Sequence, residues 1–266
     1  MNTREDYIGV FDSGVGGISV LRRLRQLMPR ERYLYFGDSA NAPYGTRPTQ
    51  EIRELTLAVA DRLMARGLKA LVVACNTATA AAIEELRAKY PEMIIIGIEP
   101  ALKAACDRFP GQTVGVMATP ATLREKKLAL LMERCAKDCT VVKLPAVGLV
   151  ELVEAGKGNS PEARELLRPL LAPYRDKLKA LVLGCTHYPF AAETVAEILG
   201  ENTALLDGGI GTAVHTRRRL EEANLLWDGP GQIIFENSSN DPNITQLCQQ
   251  LLEGNNTYDK RRKLDF

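Results

Sequence analysis

Short β-branched and aliphatic runs alternate with longer segments of helical periodicity along nearly the whole chain. The runs at 7–11, 33–36, 70–74, 94–97, 113–117, 141–144, 180–183, 204–206 and 232–235 read as strands. Between them, 17–27, 51–66, 78–89, 120–136, 161–174 and 191–199 read as helices. Ser160 ahead of Pro161 supplies a cap and a proline at the first position of one of these helices. Strands alternating with helices predict βαβ units, and hence an α/β fold built on parallel sheet.

The pattern nearly repeats itself. Leu68-Lys69-Ala70-Leu71-Val72-Val73-Ala74-Cys75 returns as Leu178-Lys179-Ala180-Leu181-Val182-Leu183-Gly184-Cys185, an offset of 110 residues. Ile8-Gly9-Val10-Phe11-Asp12-Ser13 returns as Val114-Gly115-Val116-Met117-Ala118-Thr119, an offset of 106. Two matches in the same order predict two related parallel-sheet α/β lobes with pseudo-two-fold symmetry and a cleft between them. The expected division is 1–97 together with 208–266 as the first lobe, and 98–207 as the second. In each half a cysteine closes a strand and is followed by polar residues and a helix. That is the carboxyl edge of a parallel sheet, where ligands bind, and two facing edges would set Cys75 and Cys185 on opposite walls of one cleft.

Composition narrows the function classes. With 45% hydrophobic and 25% charged residues among 266, the chain reads as an ordinary globular protein. Its 34 Lys+Arg against 33 Asp+Glu leave a net charge of +1, with no electrostatic footprint for nucleic acid. The local excess at Lys260-Arg261-Arg262-Lys263 reads as a solvated terminus. No apolar run reaches the ~18 residues of a membrane span, and the first six residues carry charges of both signs, unlike a signal peptide. A cytoplasmic location with six reduced cysteines is therefore expected. None of them forms a C-x-x-C pair, which speaks against a zinc ribbon or a thioredoxin-like site, and Cys135 and Cys139 read as core filling.

Cys75-Asn76-Thr77 and Cys185-Thr186-His187 are the segments with chemical potential. A helix amino terminus offers N–H groups and partial positive charge, which suit a carboxylate and favour thiolate over thiol. Its ~1 kcal/mol shifts a free thiol, of pKa near ~8.5, by less than a unit, so further help is needed. His187 is the candidate helper for Cys185, with Asp12 and Ser13 the candidates for Cys75. Asp12-Ser13-Gly14-Val15-Gly16-Gly17 opens a helix and, with Asp38, comes close to a dinucleotide fingerprint. Ser19 replaces the third glycine, however, and Asp12 would aim a negative charge at a pyrophosphate. The segment 38–45 is turn-forming and would offer the Tyr44 hydroxyl and the Gly45 N–H to a ligand. Glu151 and Glu154 share a helix face that reads by default as solvated, and His215 reads as structural or exposed.

Phe11-Asp12-Ser13-Gly14-Val15-Gly16-Gly17, Gly37-Asp38, Pro43-Tyr44-Gly45, Cys75-Asn76-Thr77 and Leu183-Gly184-Cys185-Thr186-His187-Tyr188-Pro189 occur in this order over nearly the whole chain. In these motifs the sequence resembles the bacterial glutamate racemases of the aspartate/glutamate racemase superfamily. The resemblance implies a cofactor-independent isomerase that interconverts L- and D-glutamate and supplies D-glutamate for peptidoglycan. By position it implies that Cys75 removes the α-proton of D-glutamate and Cys185 that of L-glutamate. Asp12 and His187 would assist them, with Glu154 beside the second cysteine. Ser13, Pro43, Tyr44, Gly45, Asn76, Thr77, Thr119 and Thr186 would contact the substrate. A homodimer is expected, with no cofactor, metal, nucleic acid or membrane partner. Some members carry a long amino-terminal extension and need a muramyl-peptide activator; six residues precede the first expected strand here, and no such dependence is expected. Two local departures, at Leu123-Arg124-Glu125-Lys126 and Asp207-Gly208-Gly209, lie away from the cysteines.

Racemisation removes a proton from one face of the α-carbon and delivers one to the other, so two opposed groups are the economical arrangement. No lysine falls in these motifs to form a Schiff base. An aspartate racemase would share both cysteines. A nucleotide-dependent oxidoreductase would use the glycine turn and Asp38, and a binding module would need only the two lobes.

Overall fold

The computed structural model describes residues 6–239 and 241–254. The 260–263 run and residues 1–5 lie outside them. All nine expected strands form among the described residues, in two wholly parallel sheets. In the first sheet, β1 (Ile8–Asp12) lies between β2 (Arg32–Gly37) and β3 (Ala70–Val73), with β4 (Ile94–Gly97) beyond β3. The second holds β5 (Thr113–Ala118) between β6 (Thr140–Pro145) and β7 (Ala180–Leu183), with β8 (Ala204–Asp207) beyond β7. The orders β4-β3-β1-β2 and β8-β7-β5-β6 correspond strand for strand, which is the structural content of the internal repeat. A final strand, β9 (Gln232–Asn237), pairs in parallel with β2 and widens the first sheet.

Both sheets bury both faces, so neighbouring residues of one strand serve different cores. Val10, Tyr33, Tyr35 and Val72 face α1 (Ile18–Leu27), α10 (Gly209–Glu222) and α11 (Pro242–Glu253). Phe11, Leu34, Phe36 and Val73 face α2 (Thr49–Met64) and α3 (Asn76–Lys89). In the second sheet, Met117, Leu181 and Leu183 pack on α7 (Leu149–Glu154), α8 (Pro161–Leu171) and α9 (Ala192–Leu199). Val114, Val116 and Val182 pack on α4 (Leu102–Arg108) and α6 (Lys126–Cys135), and this last core holds Cys106, Cys135 and Cys139. Continuous apolar strands without alternation are what double-sided burial requires.

Three helical expectations are corrected. The segment 120–136 is two helices, α5 (Pro120–Arg124) and α6, because Glu125 is extended (φ −67°, ψ 134°) and breaks the hydrogen-bond ladder. The helix from Pro161 ends at Leu171 and passes into a 3₁₀ turn at Ala172–Tyr174, where Pro173 has no N–H to continue it. The segment after Cys185 is a 3₁₀ turn, Tyr188–Ala191, and α9 begins only at Ala192. Cys185 therefore does not cap an α-helix.

Candidate active site

Turns at the carboxyl ends of the two sheets meet and interlock. The turn after β1 reaches across to the turn after β7: Thr186 Oγ1 donates to Asp12 Oδ2 at 2.9 Å, and Ser19 Oγ donates to the Thr186 carbonyl at 2.9 Å. The same turn meets the end of α7, where the Val15 N–H donates to Glu154 Oε1 at 2.7 Å. The turn after β3 meets the start of α5, where the Thr77, Thr119 and Thr122 hydroxyls form a triangle with edges of 3.2, 3.1 and 3.0 Å. Close approach explains the glycines here: a Cβ on Gly14 would overlap the Glu154 carboxylate, and one on Gly45 would lie 2.7 Å from Thr119. The turn that resembled a dinucleotide fingerprint is filled by side chains of the second lobe, and Ser19 in place of its third glycine ties it to Thr186.

Cys75 caps α3, its Sγ accepting from the Ala78 N–H at 3.4 Å and donating to Ser13 Oγ at 3.6 Å. The helix that follows begins Asn-Thr-Ala-Thr-Ala-Ala-Ala, rich in the best helix former, and starts with two residues between it and the end of the strand. Burial pushes the Cys75 thiol up to about 12, and the nearby Asp12 charge adds to the rise against the Ala78 and Ser13 hydrogen bonds. Cys185 is also near enough for a charge there to disfavour one on Cys75.

Cys185 has a different neighbour. His187 Nδ1 lies 3.6 Å from its Sγ, and His187 Nε2 lies 2.6 Å from Glu154 Oε1. Burial works against a charged imidazole, yet the Cys185 and Glu154 contacts outweigh it and hold the His187 pKa well above the ordinary histidine range. Asp12 lies between the two halves, fully buried. Burial raises its pKa to about 6, against the lowering effect of His187, the Thr186 hydroxyl and the Gly14 N–H.

Asp12, Ser13, Cys75, Asn76, Thr77, Thr119, Cys185, Thr186 and His187 thus gather at the facing sheet ends, all buried. Asp12, an expected assistant of Cys75, makes its hydrogen bonds to Gly14 and Thr186, while Ser13 is the side chain that contacts the Cys75 sulfur. The Glu151–Glu154 pair separates: Glu151 is exposed, whereas Glu154 is engaged by Val15 and His187. Tyr44 is buried with its hydroxyl donating to Asp38 Oδ2 at 2.6 Å, and Pro43 precedes it through a cis peptide bond from Ala42. The missed members are Thr122 and Ser19; the Thr119-Pro120-Ala121-Thr122 spacing of a capped helix start held the signal for the first. His215 is half-buried on α10, away from these turns; burial, then Arg218 and Arg219, lowers its pKa. Among the described residues, no group of three or more His, Cys, Asp or Glu side chains is placed to hold a metal ion, and no helix is long and apolar enough to cross a membrane.

Known proteins resemble this chain in sequence and fold. Residues 8–215 match the Asp/Glu/Hydantoin racemase family. A glutamate racemase of Clostridium botulinum is 45% identical over 256 residues, covering 95% of this chain and 99% of the relative. Among solved structures, Francisella tularensis glutamate racemase in complex with D-glutamate superposes with a TM-score of 0.81 at 29% identity, covering 93% of this chain and 94% of that one. The Escherichia coli glutamate racemase solved with L-glutamate and the activator UDP-MurNAc-ala gives a TM-score of 0.81 at 32% identity, covering 92% and 95%. With the match spanning both sheets and every turn that carries the two cysteines, the chain belongs to the Asp/Glu/Hydantoin racemase family of isomerases.

Proposed function

We propose that this enzyme interconverts L- and D-glutamate without a cofactor, using Cys75 and Cys185 as opposed acid–base groups. The observation that carries the reading is the placement of two thiols at corresponding strand ends of two facing sheets, joined by the Asp12–Thr186 hydrogen bond. The names of the relatives, two of them solved with a glutamate enantiomer, support glutamate as the substrate.

In the proposed cycle a thiolate takes the α-proton from one face, and the electron pair left on the α-carbon is delocalised into the adjacent carboxylate. The opposite thiol then gives its proton to the other face. N–H and hydroxyl groups of Asn76, Thr77 and Thr186 are suited to hold that carboxylate as its charge grows. His187, whose pKa is held well above the ordinary histidine range, faces Cys185, while burial keeps Cys75 as a thiol. For L-glutamate Cys185 is the base and Cys75 the acid. After one turnover the roles are reversed, and D-glutamate is the enantiomer the enzyme accepts.

The lobes we assign are 1–97 with 208–266, and 98–207. A cytoplasmic homodimer supplying D-glutamate for peptidoglycan completes the reading, with Pro43, Tyr44 and Gly45 beside the substrate. Circular dichroism of each enantiomer incubated with pure protein tests the reaction. Both signals are expected to decay to zero without added cofactor; an unchanged glutamate signal, with decay of aspartate instead, would overturn the substrate.

A further inference from the structure

One buried hydroxyl outside the reacting groups is bound to the centre of this network. Tyr35, on β2, is fully buried and its hydroxyl donates to the Gly14 carbonyl at 2.6 Å. That carbonyl belongs to the same peptide unit as the Val15 N–H, which donates to Glu154 Oε1 at 2.7 Å. Glu154 in turn bonds His187, and His187 contacts Cys185. We propose that Tyr35 is a positioning residue for the Cys185 half of the site, acting through the Gly14–Val15 peptide on the Glu154 carboxylate.

Two physical effects make the link. A donor on the carbonyl side of a peptide fixes the plane of that peptide, and so the direction in which its N–H points. The same hydrogen bond polarises the amide and strengthens the donation made by its N–H. Gly14 cannot be held by a side chain of its own, so the plane of this peptide must be set from outside. β2 does so twice on one face: Tyr35 supplies the donor, and Gly37, two residues on, leaves room for the acceptor. A Cβ on Gly37 would lie 2.7 Å from the Gly14 oxygen. Tyr35 stays a donor over any working pH, since burial, followed by the charge of Asp12, raises its pKa well above the ordinary tyrosine value. Its ring is seated by Phe235 of β9, 6.2 Å away centroid to centroid. The strand that the internal repeat does not account for therefore supports the residue that orients this peptide.

The consequence is chemical as well as mechanical. A carboxylate that loses a strong N–H donor becomes more basic. A stronger acceptor at Nε2 favours the protonated His187 ring, which would then titrate at higher pH. The groups facing this pair are Cys185 on its own turn, Asp12 from β1 and Cys248 from α11, and Cys75 faces Asp12 in turn.

The proposal rests on Cys185, His187 and Glu154 being acid–base machinery, and the test separates the two. Wild-type turnover of glutamate tests that reading; the titration of the His187 ring, followed by NMR against pH, tests the Tyr35 link with no turnover at all. Tyr35→Phe is expected to move the His187 titration upward and to lower kcat/KM by about fivefold to tenfold, the value of one buried hydrogen bond. Tyr33→Phe is the control: its buried hydroxyl serves the Leu24 and Met28 carbonyls instead, so similar destabilisation with no titration shift is expected. Gly37→Ala crowds the same carbonyl without removing a hydroxyl and must shift the titration also, which keeps the test open should Tyr35→Phe fail to fold. In a double-variant cycle, Tyr35→Phe is expected to add little to Glu154→Gln. Full additivity, or a His187 titration in Tyr35→Phe no different from that in Tyr33→Phe, would overturn the proposal.

Discussion

The two cysteines occupy corresponding positions of a repeated unit, yet their surroundings differ in kind. Cys75 caps an α-helix and meets a hydroxyl and a backbone N–H. Cys185 lies in a strand-to-3₁₀ connection and meets an imidazole that is itself held by a carboxylate. One half relies on backbone dipoles and burial, the other on an explicit proton carrier. A repeat conserves where a side chain emerges from a sheet; it does not conserve what the neighbouring turn places beside it. For the proposed reaction, which needs one thiol and one thiolate at a time, this difference gives the two faces of the substrate unlike partners.

The comparison can be broken most severely at the sulfurs themselves. Cys75→Ala and Cys185→Ala are each expected to lower racemisation by about 10³-fold or more, the range of a positioned acid or base. Solvent deuterium exchange at the α-carbon sharpens this: each variant should lose exchange with the enantiomer whose base was removed. Equal exchange of both enantiomers in both variants would refute the assignment of the two faces.

Next in size is the contrast between the two supporting shells. Glu154→Gln, which weakens the hold on His187, is expected to lower kcat/KM by about 10²-fold, whereas Ser13→Ala should cost only about tenfold. Steady-state kinetics in both directions would check the ranking, and a reversal would place the proton carrier on the Cys75 side.

Asp12 stands between the halves and gives a pH signature. Its pKa is raised on folding, from 3.8 to about 6. The folded state thus binds more protons than the unfolded one in this window, so the Asp12 contribution to stability is present below pH 3.8 and is lost as pH rises through about 6. The loss amounts to at most about 3 kcal/mol. Asp12→Asn should therefore gain thermal stability relative to the parent at pH 7 but not at pH 4, measured as the unfolding midpoint.

The smallest effect is expected at Thr122, whose hydroxyl completes a triangle spanning the two lobes. Thr122→Val should raise KM about fivefold with kcat little changed, as fits the loss of one hydrogen bond.

Much of this was legible in the chain. Apolar runs of strand length gave nine strands within one or two residues, most plainly for β3 and β7, which are buried throughout and leave no polar position to blur their ends. The breaks in helices were less visible: Glu125 is an ordinary helix former, and only its extended backbone in the folded molecule splits α5 from α6. Glu154 looked like half of a solvated pair with Glu151, since helical spacing says which residues share a face but not which one has a partner 139 residues away at Val15.

The sequence by itself therefore determined the repeat, the parallel α/β architecture and the two cysteine-bearing strand ends, because these depend on local patterns of apolar and polar residues. Only the tertiary structure decided that Thr186 would bond Asp12, that His187 would lie between Cys185 and Glu154, and that the Tyr35 hydroxyl would reach the Gly14 carbonyl. Such contacts join turns far apart in the chain. Their hydrogen-bond partners and pKa values follow from burial and from the facing of two sheets, which no local pattern encodes.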